Sequence, residues 1–452
     1  MPYEGEFAGY QPLRRIVETD RVQNILRRCR VQEASQSVSG CGATPQALPP
    51  ADQEMPNFIV AIDGSNAEVP VKNGYPGARV GYLTVASVLV NLAELDRLDE
   101  QRPIDPIAFR TTEEAATIDA ALPGCNVVTR DHVAAKHSFR EALFDTFNDV
   151  ILDEEDRTPL SETYEALLAL KPESRNQACP YEAEGCREHV RTSPGLSRCP
   201  CDKMRPLYST DALRIHERFR DWGSNGEAYG EVMQVWERIT LIHLLRCLER
   251  RQWLNRLPRL AFFVDGPLAV FGHPAWLSAA ISTELKRLNA LVRDQSGHDM
   301  LIVGIEKSGT FVAHFDEIDI TERPGTELFE PRTFFLPSDQ YIKSRIIFSS
   351  SQKRYGQDTY FGRKVFYKTA SGARIVANIP FLSAAQDTLA GEPALYSQLG
   401  TILTLLDKLV SSRYPNALAP IVSANAHAAI PLHLGAKVLQ QLAQALVRES
   451  PR

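Results

Sequence analysis

The sequence predicts an α/β protein built on a mixed sheet. Three apolar runs, Asn57 to Asp63 (NFIVAID), Arg259 to Asp265 (RLAFFVD) and Met300 to Glu306 (MLIVGIE), have the length and composition of buried strands. A helical pattern at about 275 to 293 separates the last two, and strand, helix, strand is the order of an α/β crossover. Residues 331 to 380 then return to β-like sequence rich in aromatic residues, which adds further strands.

Composition sets the outer limits. A chain of 452 residues exceeds what one core usually organises, so an elaborated domain or roughly two to three domains are expected. With 44% hydrophobic and 23% charged residues it is neither collagenous, coiled-coil nor wholly disordered. The net charge of -6 argues against a protein that coats polyanions, though it leaves room for a local basic groove. The amino-terminal residues show no secretory h-region, and the longest apolar stretch, Val80 to Val90, is too short for a bilayer. A soluble, cytoplasmic protein without a membrane anchor is expected.

Taken in order, residues 1–56 read as an N-terminal arm and linker: a short helical pattern (Leu13, Ile16, Val17, Val22, Ile25, Leu26) precedes a stretch of Ser, Gly, Ala, Gln and Pro. Residues 57–152 form the first part of the core. The strand ending at Asp63 and two further apolar runs to about Val90, with a turn at Asn73 to Gly77, suggest an antiparallel meander, and Phe139 to Leu152 has helical spacing. Residues 153–208, charged and bearing Pro and Cys, read as an insertion. Residues 209–452 hold the second part of the core. A helix-start signal at Ser209-Thr210-Asp211 opens ALRIHERFRDW, Gly223 to Gly226 interrupts it, and a longer helix runs from about Glu227 to Glu249. Helices at about 393 to 411 and 432 to 449 flank the run Ala419 to His427.

The chemistry concentrates at strand ends. FIVAIDGS and AFFVDGPL each deliver an aspartate, Asp63 and Asp265, to the carboxyl end of an apolar strand, where open α/β sheets place ligands. Singly, Asp-Gly is also a turn dipeptide. As a pair, two such carboxylates suit a divalent cation. On the helix between them Glu231 shares a row with Glu227 and Gln234, whereas Glu237 falls in a row with Met233, Leu241 and Leu244 and borders the packed face. Buried there it needs a partner, which an arginine ion pair would supply as well as a metal. In PIVSANAH the small residues around His427 would let a ligand approach, although an isolated histidine is commonly structural.

In that order, VAIDGS, the Glu-bearing helix, FFVDGPL, VGIEKSG and ANAHAAI resemble the NurA nuclease family over about residues 57 to 435. The resemblance implies an RNase H-like core, DNA cleavage with manganese or magnesium, a homodimer, and work with a HerA-type hexameric ATPase/translocase in DNA end processing or anti-phage defence. It also implies that Asp63, Glu237, Asp265 and His427 hold the catalytic metals, with Glu237 preferred to Glu231. Lys307, just after the third strand, would contact a phosphate or orient the nucleophile; a solvated surface lysine is the plainer reading.

Two further features stand beside this. Cys179, Cys186, Cys199 and Cys201 offer four thiolates, a closed shell for a structural zinc, with free thiols or His189 as the alternatives. Residues 341 to 378 carry Lys343, Arg345, Lys353, Arg354, Arg363, Lys364, Lys368 and Arg374 among aromatic residues that include Tyr355, with Asp358 as their one acid. Such a stretch suits a DNA channel, with Lys343, Arg345, Arg354, Tyr355, Arg363 and Lys364 as contacts; a half-buried hairpin with a charged face would look the same. Two other functions fit parts of the chain. An actin-like or sugar-kinase-like phosphotransferase also begins with such a strand but needs a glycine-rich phosphate loop that Asp265-Gly266-Pro267-Leu268 does not provide. A non-catalytic adaptor would use the zinc module and basic stretch to bind DNA or a partner.

Overall fold

The computed structural model describes residues 11–30, 42–72, 77–95, 113–129, 134–153, 155–171, 177–201, 203–320, 325–410, 416–430 and 434–449. Most of the turn expected at Asn73 to Gly77, and parts of the expected arm and linker, lie outside them.

The fold is mixed α/β, organised by one nine-stranded sheet. Its strands in chain order are β1 (Gln46–Ala47), β2 (Phe58–Lys72), β3 (Ala78–Asn91), β4 (Glu113–Pro123), β5 (Leu260–Asp265), β6 (Leu301–Glu306), β7 (Thr333–Phe335), β8 (Gly362–Lys368) and β9 (Arg374–Pro380). They lie in the order β1-β7-β8-β9-β6-β5-β2-β3-β4. The pairs β2/β5 and β5/β6 are parallel, and every other pair is antiparallel. The central strands are apolar throughout because both faces of the sheet are covered.

Alternation along the strands divides the core in two. Ile62, Phe262, Val264 and Ile302 face one side, with α3 (Ala135–Asp149), α4 (Leu160–Leu168), α5 (Gly226–Arg250) and α6 (Leu277–Ser296). Ile59, Ala61, Phe263 and Val303 face the other, with α8 (Leu399–Leu409) and α9 (Ala419–Ala428). Between them in sequence, α7 (Thr310–Asp319) joins a third cluster through Phe311 and Phe315. The helix α10 (Leu434–Glu449) adds Ala443 against Val69 and Val80, on the far part of the β2–β3 hairpin. Trp236 of α5 is buried in the first cluster, and truncating it to alanine would cost about 3–5 kcal/mol.

Several expectations change in detail. The stretch after Ser209 forms two 3₁₀ turns, Ser209–Leu213 and Ile215–Glu217, because Arg214 is left-handed (φ 59°) and Asp211 is engaged by Arg140. Residues 153–208 do not stand apart as a whole: Leu160, Tyr164 and Leu167 of α4 are buried in the main core, and the cysteine-bearing satellite begins near Gln177. Ahead of the sheet, α1 (Gln11–Glu18) and α2 (Asp20–Arg28) show Leu13, Ile16, Val17, Ile25 and Leu26 exposed. No helix among the described residues is long and apolar enough to cross a membrane.

Candidate active site

The site grows from a fork in the sheet. Pairing between β2 and β5 runs from Phe58↔Leu260 to Ile62↔Val264 and stops there. The next residue on each strand is an aspartate. Asp63 stays paired on its outer side with Ala86 of β3, and Asp265 with Ile305 of β6. The carboxylates thus flank the point where two parallel strands part, the crevice in which open α/β sheets bind ligands. Gly266 completes the turn after Asp265 with φ 74°, a conformation that suits a residue without a Cβ.

Lys307, immediately after β6, reaches into the fork. Its Nζ lies 3.2 Å from Asp63 Oδ2 and 3.0 Å from Asp265 Oδ1. Burial would lower the Lys307 ammonium, but the two carboxylates outweigh it and raise its pKa. It is a charged strut, about one-third exposed, and not a solvated surface lysine.

Glu237 approaches from α5 and is buried, with Oε1 against the Gly64 backbone. Of the two partners expected for it, the arginine is present: Glu237 sits beside the fork and pairs with Arg238, whose Nη1 donates to Glu237 Oε2 at 2.7 Å. Arg238 also donates through Nη2 to the carbonyls of Asp265 (2.9 Å) and Pro267 (3.0 Å), tying α5 to the end of β5. Burial, with Asp63 and Asp265 nearby, pushes Glu237 up to about 8 although Arg238 pulls the other way. Burial and then the Asp265 charge push Asp63 up to about 7. Glu231 instead pairs with Arg218 at 3.1 Å.

The structure therefore brings together Asp63, Glu237, Asp265 and Lys307. His427 is exposed near the end of α9, a helix that lies against β2 and β3 and more lightly against β5. Among the described residues only Cys179, Cys186 and Cys199 set three metal-donor atoms within 4.8 Å of one another, so the carboxylate group is more open than a closed ligand shell. Arg238 was not legible as a site residue; its one signal was adjacency to Glu237.

The sequence profile of the NurA domain matches residues 187–430, more than half of the chain. The chain belongs to the NurA family. The matched residues include Glu237, Asp265, Lys307 and His427, while Asp63 enters from outside them. Among solved structures, the NurA nuclease from Sulfolobus solfataricus is similar at 12% identity, over 98% of each chain, with a TM-score of 0.32. A second NurA structure matches at 12% identity and a TM-score of 0.29, over 97% of this chain and 98% of that one. None of the curated proteins matches.

In this NurA-family chain the basic stretch differs from an open channel. Arg363 and Lys364 lie on β8, whose residues are all buried. Arg363 donates to Tyr396 Oη (3.0 Å) and to the carbonyls of Pro337 (3.3 Å) and Thr388. Lys364 pairs with Glu306 and lies 3.9 Å from the Phe311 ring centre. Both are thus engaged by interior acceptors. Arg354 pairs with Asp387 (2.8 Å), Lys343 with Asp339 (2.7 Å), and Tyr355 donates its hydroxyl to Tyr360 (3.1 Å). Arg345 and Lys353 are exposed, Lys353 beside Asp358. The hairpin itself is only β8 and β9; the segment before it includes a π-helical turn at Ile342–Ile346.

The cysteine cluster forms a separate candidate metal centre. Cys179 Sγ is 3.6 Å, and Cys186 Sγ 3.7 Å, from Cys199 Sγ. Cys201 lies beside Cys199 and Cys186, and all four are free cysteines.

Proposed function

We propose that the chain is a metal-dependent deoxyribonuclease that hydrolyses phosphodiester bonds at the β2/β5 fork. The observation that carries this reading is the pairing of Asp63 and Asp265 on parting strands, with Glu237 buried beside them, in a NurA-family chain. We read the sheet as an RNase H-like core on the same ground, since its central parallel strands carry the acids where they part, Asp265 at the end of β5 and Asp63 within β2 just past its pairing with β5.

The donor set suits manganese or magnesium: hard carboxylate oxygens, to which the exposed His427 imidazole of α9 would be added on binding. The Lys307 ammonium between the two aspartates indicates that the place accepts a cation. A divalent ion there would activate water and offset charge on the phosphate. Asp63 and Asp265 would hold the ion, and Glu237, oriented by Arg238, would complete the acidic wall. Lys307 is then available to a phosphate oxygen. The soft thiolates of the cysteine cluster suit structural zinc instead.

The reading extends to partners. No Gly-x4-Gly-Lys-Ser/Thr phosphate loop occurs in the sequence, so a DNA motor would have to be a separate protein. A HerA-type hexameric ATPase/translocase fills that place, in DNA end processing or anti-phage defence, with the enzyme acting as a cytoplasmic homodimer. The exposed apolar residues Leu13, Ile16, Val17, Ile25 and Leu26 of α1 and α2 offer a docking surface. The test is cleavage of linear DNA with manganese. Asp63→Asn and Asp265→Asn, each shown to be folded by circular dichroism, should abolish it, and full activity in either would overturn the assignment.

A further inference from the structure

We propose that Cys179, Cys186, Cys199 and Cys201 bind one zinc ion, and that the ion closes a lid over the buried Arg140–Asp211 ion pair. The sulfur spacing supports a single ion. A regular tetrahedron with Zn–S bonds near 2.3 Å has S···S edges of roughly 3.8 Å, beside observed separations of 3.6 and 3.7 Å. A disulfide would bring two sulfurs to about 2.05 Å, and a multinuclear iron–sulfur cluster puts at most two thiolates on any one iron, whereas here the sulfurs of Cys179, Cys186 and Cys199 all lie within 4.8 Å of one another. The segment also lacks a core of its own. Apart from cysteines, its buried hydrophobic cluster consists of Tyr181, Val190 and Leu207, far too little to hold a loop-rich segment without a cross-link.

What the ion would secure follows from the contacts of that segment. Arg140 of α3 donates to both carboxylate oxygens of Asp211 at 2.7 Å, and both side chains are almost wholly inaccessible. The cysteine segment supplies the cover. Arg140 lies 4.7 Å from the Tyr181 ring centre and donates to the Pro206 carbonyl at 3.1 Å. The His137 ring, one turn earlier on α3, lies 4.3 Å from the Tyr181 ring, centre to centre, and tilted 32° to it, and bonds to Glu184. Gln177 donates to the Asp211 carbonyl at 2.9 Å. Tyr181, Glu184 and Pro206 all fall between or just beyond the cysteine ligands in sequence, so fixing the sulfurs fixes the cover. A buried ion pair keeps its low-dielectric geometry only while water is excluded.

The experiment uses the full chain. Elemental analysis should find one zinc per chain and no iron, and the Asp63→Asn variant should retain that zinc, which separates this site from the carboxylate fork. Stripping zinc from the wild-type chain with 1,10-phenanthroline should speed amide hydrogen exchange by roughly tenfold or more in residues 177–208 and in the first turns of α3. Exchange in β5 and β6 should hold. Cys199→Ser should reproduce the stripped pattern. Absence of zinc with all four thiols open to alkylation, or iron in its place, would overturn the site. Zinc loss that leaves exchange in α3 unchanged would overturn the lid.

Discussion

Glu237 Oε1 lies 2.8 Å from where a Cβ on Gly64 would stand. The acid from α5 is therefore seated directly on the backbone one residue beyond Asp63, and the missing side chain of Gly64 is what admits it. In Gly64→Ala the methyl group would also meet Met233 Cγ at 2.9 Å, so both neighbours must retreat. The expected result is a folded protein, destabilised by about 1–3 kcal/mol, with DNA cleavage reduced at least as far as in Glu237→Gln. Denaturant melts and cleavage rates check this; wild-type activity would mean that the seating of Glu237 is irrelevant.

Lys307 bridges the two aspartates and offsets part of their charge, so it competes with any cation drawn to them. Lys307→Met should tighten manganese binding several-fold in calorimetry while lowering the cleavage rate at saturating metal. Weaker manganese binding in the variant would contradict the competition.

His243 is buried in α5, its Nδ1 2.8 Å from Thr163 Oγ1. Burial, and then the charges of Arg250 and Arg246, push its pKa down to about 4 against an ordinary 6.5. Between pH 6.5 and 4 the unfolded chain binds the proton and the folded chain does not. The stability contributed by neutral His243 is therefore full above pH 6.5 and falls on acidification by roughly 1.4 kcal/mol per pH unit. Asp63 and Glu237, pushed upward, act with the opposite sign, so the informative quantity is the difference between wild type and His243→Asn. That difference should shrink as pH falls from 6.5 to 4 in urea melts, and a pH-independent difference would refute it.

The basic stretch divides by burial. Arg363→Ala leaves Tyr396 and two carbonyls without their donor and should cost about 2–3 kcal/mol of stability. Replacing exposed Arg345 and Lys353 together by alanine should leave stability within about 0.5 kcal/mol and flatten the salt dependence of DNA binding. Salt titrations of binding, set beside melts of each variant, distinguish the two effects.

Asp265 was legible as a strand-end acid because an apolar run that stops at Asp-Gly marked both the strand and its terminus; the same reading misplaced the end at Asp63, since β2 continues past it to Lys72 on its pairing with β3. Glu237 was legible from its helical row. Burial of Arg363 and Lys364 was not: three cations in the seven residues GRKVFYK have the composition of a strand with a charged face, and only the long-range partners Glu306 and Tyr396 make room for cations inside. The short turns after Ser209 were hidden for a similar reason, since Arg140, which engages Asp211, lies 71 residues away. The run Ala419 to His427 folds as α9, with Pro420 in its first turn, where a missing N–H costs nothing.

The parting of β2 from β5 bears on mechanical stiffness. A carboxylate on a loop can drift by ångströms as the loop moves, whereas each aspartate here is still held by a strand on its outer side, Ala86 for one and Ile305 for the other. The gap between them is therefore set by the splay of two rigid blades hinged at Ile62 and Val264. Side-chain volume at that hinge, buried one residue before each acid, becomes the screw that adjusts their separation.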